Sequence, residues 1–175
     1  ESQHVALGKF RPDFPGLQIA GLDRIVRGDV TTGDNYTGGG SHGGVGGKDA
    51  IFLLDCCGRE IWKEDRKTDG WLTIIETLCH WSEGAPDYIL AYRRGGGITP
   101  TLYDGDMQAV VKFPVDGYVQ HADLLGSGTE QVIVYDDHFA WIFASSRLDL
   151  TQASGKPLQQ PKRLYSSTLY PGGEY

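Results

Sequence analysis

Three stretches of the chain align with one another: HVALGKFRPDFPGLQIAGLD (4–23), HWSEGAPDYILAYRR (80–94) and HADLLGSGTEQVIVYDD (121–137). Each opens with histidine, passes a glycine and a polar turn, and runs into an apolar segment. A further apolar segment follows each one: AIFLLD, then TLYDG with AVVKF, then AWIFAS. Repetition at this scale restricts the chain to folds that multiply one supersecondary unit. The interval from His80 to His121 is 41 residues, the size of one β-propeller blade. The interval from His4 to His80 is longer, stretched by a glycine-rich segment.

The type of unit follows from the runs inside it. LQIAGLD (17–23), AIFLLD (50–55), YILAY (88–92), AVVKF (109–113), QVIVYD (131–136) and AWIFAS (140–145) are short, rich in β-branched and aromatic residues, and bounded by Gly, Pro and Asp. None carries a helical period; WLTIIETL (71–78) is ambiguous. Short strands at regular spacing predict an all-β chain, and the repeat favours a β-propeller over a sandwich or barrel. About three blades are expected, over 1–70, 71–115 and 116–150, with 151–175 leading to a further blade. Three blades do not close a propeller, and an open set leaves raw sheet edges. The chain is therefore expected to be part of something larger, partnered by the remaining blades. If the repeated histidine begins the innermost strand of each blade, His4, His80 and His121 stand at equivalent places near the axis. There they serve either as packed structural histidines or as a ring around an axial metal or water.

Composition excludes some partners. A net charge of −7 and a pI near 5.1 leave no basic face for nucleic acid. No apolar run approaches the length of a membrane span. Cys56 and Cys57 are adjacent, which suits neither a redox CxxC nor a zinc site. They and Cys79 are read as small buried side chains or as one disulfide from Cys79 to either neighbour. Asn35-Tyr36-Thr37 is a glycosylation sequon, in keeping with secretion.

The segment NYTGGGSHGGVGGK (35–48) holds seven glycines around His42. In a blade, the connections after the second strand open on one face, where the first strands begin. RIVRGDVTTGDNYTGGGSHGGVGGKDA, RRGGGITP and DDH occupy those places, so His42, Arg93 or Arg94, and His138 are expected to converge at one mouth of the channel. Arg grips a carboxylate bidentately, and His exchanges a proton near neutral pH. That pairing fits β-elimination from a uronic acid. A solvated surface Arg and an idle loop His are the plainer alternatives. The glycine segment is no phosphate loop, because Asp49 follows Lys48. ADLLGSGTEQV (122–132) keeps Asp123, Gly126, Gly128 and Glu130 of a calcium loop but lacks its other carboxylates. The acids of DGDM (104–107) and YDD (135–137) read as turn residues.

HVALGKFRPDFPGLQIAG, GGKDAIFLLDCCGREIW, PDYILAYRRGGGITPTLYDG and QHADLLGSGTEQVIVYDD, with QPKRLYSSTLYPGGE, resemble fungal secreted polysaccharide lyases of β-propeller fold. The L-rhamnose-α-1,4-D-glucuronate lyase type is the nearest in kind, and rhamnogalacturonan lyases are more distant. The resemblance implies a seven- or eight-bladed propeller that acts by elimination on gum arabic-like arabinogalactan side chains, with a calcium ion in the central tunnel. It implies His42 as a Brønsted catalyst, Arg93 or Arg94 as a carboxylate clamp, and Tyr92 or Tyr103 as a proton donor. It also implies tunnel-facing places for His4, His80 and His121. A non-catalytic propeller module that binds carbohydrate or protein is the competing expectation.

Overall fold

The computed structural model describes residues 2–25, 48–65, 74–82, 84–93 and 96–145. Among them there is no helix, and eleven strands form three antiparallel sheets. The first sheet runs β1 (Ser2–Gly8), β2 (Gln18–Ile25), β3 (Lys48–Leu54), β4 (Glu60–Asp65). The second runs β5 (Ile74–Leu78), β6 (Tyr88–Tyr92), β7 (Thr101–Tyr103), β8 (Ala109–Lys112). The third holds β9 (Tyr118–Ala122), β10 (Gln131–Tyr135) and β11 (Ala140–Phe143). In each sheet sequence neighbours are spatial neighbours, so all three are simple meanders. The ambiguous stretch 71–78 contributes β5.

The sheets pack face to face, with the second in the middle. Side chains on a strand alternate between faces. Ile89, Ala91, Ile75 and Tyr103 join Ala6, Ala20, Leu22, Ile51 and Leu53 in one core, against the first sheet. Leu90, Tyr92, Ile74, Leu78 and Leu102 join Val119, Val132 and Val134 in a second core, against the third sheet. The unbroken apolar run YILAY is thus explained by burial on both faces.

The repeat is geometric as well as textual. Gln18 opens β2 and Gln131 opens β10, and both are 0% exposed. Gln18 Oε1 accepts from the amide of Arg11 at 2.8 Å, and its Nε2 donates to the Gly16 carbonyl at 3.0 Å. Gln131 Oε1 accepts from the amide of Leu124 at 2.7 Å, and its Nε2 donates to the Thr129 carbonyl at 2.6 Å. Each glutamine therefore closes its own β1–β2 or β9–β10 loop from inside, at the same sequence offsets. In the middle sheet Tyr88 takes that place. Asp87 beside it reaches the first sheet instead: its carboxylate accepts from the Lys9 amide at 2.7 Å, and its amide donates to the Lys9 carbonyl at 3.1 Å.

This register corrects one expectation. His4 lies in β1 and His121 in β9, but His80 lies beyond the end of β5, exposed, with φ 55°. The two strand histidines are also not equivalent. His121 pairs with Val132, the residue after Gln131, whereas after Gln18 the corresponding residue Ile19 pairs with Leu7. What repeats is the loop-closing position at the head of the second strand, not the histidine.

The turns are carboxylate-capped. Asp55 Oδ1 accepts from Cys57 and Arg59 amides, Asp104 Oδ1 from Asp106 and Gln108, and Asp136 Oδ1 from His138 and Phe139. The acids of DGDM and YDD are therefore turn residues. The β7–β8 turn also latches the first two sheets. The Gly105 carbonyl accepts from Trp62 Nε1 at 2.7 Å, and Asp106 pairs with Arg11. A Cβ on Gly105 would meet the Phe10 carbonyl oxygen at 2.3 Å, so only glycine lets the turn approach so closely.

Candidate functional site

His42, Arg94 and Asn35 lie outside the described residues, as does 151–175. Arg93 follows β6 and opens the connection to β7. That connection turns on Gly96 and Gly97, with φ of 83° and 91°, a region glycine enters without a side-chain clash. The Gly96 amide donates to the Arg93 carbonyl at 3.2 Å, and the Gly97 amide donates to Asp116, which leads into β9. The half-buried Arg93 guanidinium lies over Gly97, with Nη1 3.4 Å from where a Cβ would stand. The glycine turn thus sets the guanidinium beside Gly97 and pins the loop to Asp116.

The first strands lie side by side. His4 Nδ1 donates to the Ile75 carbonyl at 2.7 Å, and Thr77 Oγ1 donates to the Leu7 carbonyl at 2.8 Å, so β1 and β5 run in the same direction. The β2–β3 and β6–β7 connections therefore leave from one edge, the edge of Arg93.

The other expected site residues fall elsewhere. Tyr92 is 3% exposed, and its hydroxyl donates to Glu76 Oε2 at 3.0 Å. Tyr103 is buried in the first core. A proton-donor role for either requires the packing to open. His138 is exposed at the β10–β11 turn, edge-on to Phe139 at 6.4 Å. It borders a shallow cavity of about 530 Å³ with Tyr135, Asp136, Asp137 and Phe139. The His138 and Phe139 amides hold the Asp136 carboxyl below its ordinary range.

His121 is the centre of a cluster that sequence reasoning missed. Its side chain is 5% exposed, with Nε2 3.6 Å from Glu76 Oε2 and Nδ1 3.2 Å from Glu130 Oε2. Glu130 Oε2 also accepts from the Cys79 amide at 2.8 Å. The Nδ1 contact with Glu130 is a hydrogen bond, whereas Nε2 only approaches Glu76 closely. The cluster joins β5, β6, β9 and the β9–β10 loop in a closed interior, so its work is to bind the second sheet to the third. The two carboxylates face opposite nitrogens and do not converge on one ion. Among the described residues no group of three or more His, Cys, Asp and Glu is set to hold a metal. Calcium takes oxygen ligands, and His4, His80 and His121 offer neither oxygen nor a shared centre. Asp123, in the loop that resembles a calcium loop, accepts from the amides of Ser127 and Gly128. Glu76 carried no sequence signal, standing alone in its segment, and Glu130 was read only as a remnant of a calcium-like loop.

None of the three cysteines is in a disulfide, and against the expectation of buried side chains Cys56 and Cys57 are exposed, with Cys79 half-buried. No protein-family model, no curated protein and no solved structure matches the chain.

Proposed function

We propose that the chain forms consecutive blades of a seven- or eight-bladed β-propeller that is a secreted polysaccharide lyase. It cleaves a rhamnose–glucuronate bond in acidic plant polysaccharide, of the kind found on gum arabic arabinogalactan side chains, by β-elimination. The observation that carries this reading is the common orientation of the three meanders. The same face of each sheet turns to the next, and the first strands stand side by side. Arg93 then occupies the edge from which the 26–47 connection, with His42, leaves and returns. The outward faces of the first and third sheets also carry apolar residues, among them Val5, Leu7, Tyr118 and Ile142. That pattern supports further sheets on both flanks.

In this reading Arg93 or Arg94 pairs with the uronate carboxylate and draws charge from it, which acidifies the α-proton. His42 works as the Brønsted catalyst. As the α-proton leaves, its bonding electrons form the carbon–carbon double bond, the bond to the glycosidic oxygen breaks, and an acid protonates that oxygen. Gum arabic digestion tests it: rhamnose should appear together with an unsaturated uronate that absorbs in the ultraviolet. Rhamnose released without that double bond would refute elimination.

A second reading is a non-catalytic carbohydrate- or protein-binding module. It is favoured by two aromatic pairs at the β10–β11 end of the third sheet. Tyr118 stacks on Tyr135 at 5.4 Å, and Phe139, 63% exposed, leans on Trp141 at 5.6 Å. There Phe139→Ala abolishes glycan binding while His42→Ala leaves it intact.

A further inference from the structure

The β3–β4 turn places two thiols next to each other at its tip. Cys56 and Cys57 are exposed and free, with their Sγ atoms 4.0 Å apart. The turn does not depend on them. Its base is closed by the Asp55 amide on the Arg59 carbonyl at 2.8 Å, by the Gly58 amide on the Asp55 carbonyl at 3.0 Å, and by the Asp55 carboxylate. Gly16, with φ 66°, leaves the space that Cys56 fills; a Cβ there would stand 2.8 Å from Cys56 Cβ. Gly58, with φ 80° and open space around it, lets the backbone beside the pair readjust.

We propose that Cys56 and Cys57 are a redox site, a vicinal thiol pair that closes to a disulfide and reopens by exchange with a small-molecule disulfide–thiol couple. A hydrogen bond to Cys56, and the negative field of Cys56 and Asp55, push the Cys57 thiol up. Both sulfurs are exposed at the turn tip, and the exchange can open at Cys56. Its thiolate attacks one sulfur of a disulfide such as oxidised glutathione and expels one glutathione thiolate. Cys57 then loses its proton and attacks the Cys56 sulfur, expelling the second glutathione. Two protein thiols are oxidised, and one external disulfide is reduced to two thiols. Consecutive Cα atoms lie closer than the spacing disulfides prefer, so the closed form is strained and readily reduced.

Mass spectrometry of tryptic peptides tests this, because 49–59 carries both cysteines and 68–93 carries Cys79. After oxidised glutathione, peptide 49–59 should lose about 2 Da, resist alkylation, and recover with dithiothreitol. Cys56→Ser and Cys57→Ser should instead each retain one glutathione, in about tenfold excess over the wild-type adduct. A lasting glutathione adduct on the wild-type peptide, or a disulfide from 49–59 to 68–93 or to a second chain, would overturn the proposal.

Discussion

Replacing His121 with alanine should be among the most damaging single changes in the described part of the chain. The imidazole lies between Glu76 and Glu130, whose side chains are 7% and 9% exposed. Without it, Glu130 loses its imidazole partner, and both acids face a void in a buried seam. Deleting a buried ring and leaving a buried acceptor without its partner together cost about 3–5 kcal/mol. Single domains are stable by about 5–15 kcal/mol in total, so the variant forfeits a large share of its folding energy. At about 1.4 kcal/mol per decade, the unfolded fraction rises at least a hundredfold. The remaining groups soften the loss only in part, since Tyr92 still donates to Glu76 and the Cys79 amide to Glu130.

Urea denaturation at neutral pH, followed by tryptophan fluorescence, reads the change. Trp81 packs edge-on against Phe113 at 6.1 Å in the same core and reports on that seam. A double-mutant cycle with Glu76→Gln separates the pair from its surroundings. In the Glu76→Gln background, His121→Ala should cost less by about 1–3 kcal/mol, because one of the two acids beside the ring is already replaced. If His121→Ala lost under about 1 kcal/mol, the cluster would be an exposed-type ion pair, and the argument that it binds the sheets would fail.

Three further outcomes follow from the geometry. Gly105→Ala forces a methyl onto the Phe10 carbonyl and should cost about 1–3 kcal/mol, read as a lower urea midpoint; a neutral result would mean the β7–β8 turn is not latched. Gln131→Ala strips partners from the Leu124 amide and the Thr129 carbonyl, and should lose about 1–3 kcal/mol with faster amide exchange at Leu124 than in the wild type. The Asp136 carboxyl is held low by the amides of His138 and Phe139, so its contribution is present above the ordinary carboxylate range and is lost as pH falls through the lowered value. NMR titration should therefore place its midpoint below that of an exposed aspartate, and Asp136→Asn should flatten the acid limb of stability.

Much of the fold was legible because strand residues declare themselves by composition. QVIVY and AIFLL are β-branched and aromatic, and they stand where β10 and β3 stand. EIWKED, which forms β4, escaped notice because an edge strand needs little apolar character. The repeat was legible too, but it was read through the wrong residue. Histidine stood out in the text, whereas the structure conserves spacing around Gln18 and Gln131, polar side chains with no chemistry to advertise. A buried amide that satisfies its own loop is selected by geometry and leaves a signal only as an offset between distant letters.

The same physics hid the cluster at His121. Glu76 sits in IIETL and reads as a lone solvated acid, while Glu130 reads as a remnant of a calcium-like loop. Their pairing depends on how two sheets face each other, a fact absent from either segment. Buried charge is tolerable only when its partner arrives from elsewhere in the fold, so such groups are the ones that local reading assigns to the surface. Arg93 shows the converse. The glycine run after Arg93 and Arg94 was a local signal for a turn, and Gly96 and Gly97 do turn there, because positive φ is dictated by those residues themselves. What a sequence shows best is what the nearest residues decide, and the contacts that set one sheet upon another are decided across the chain.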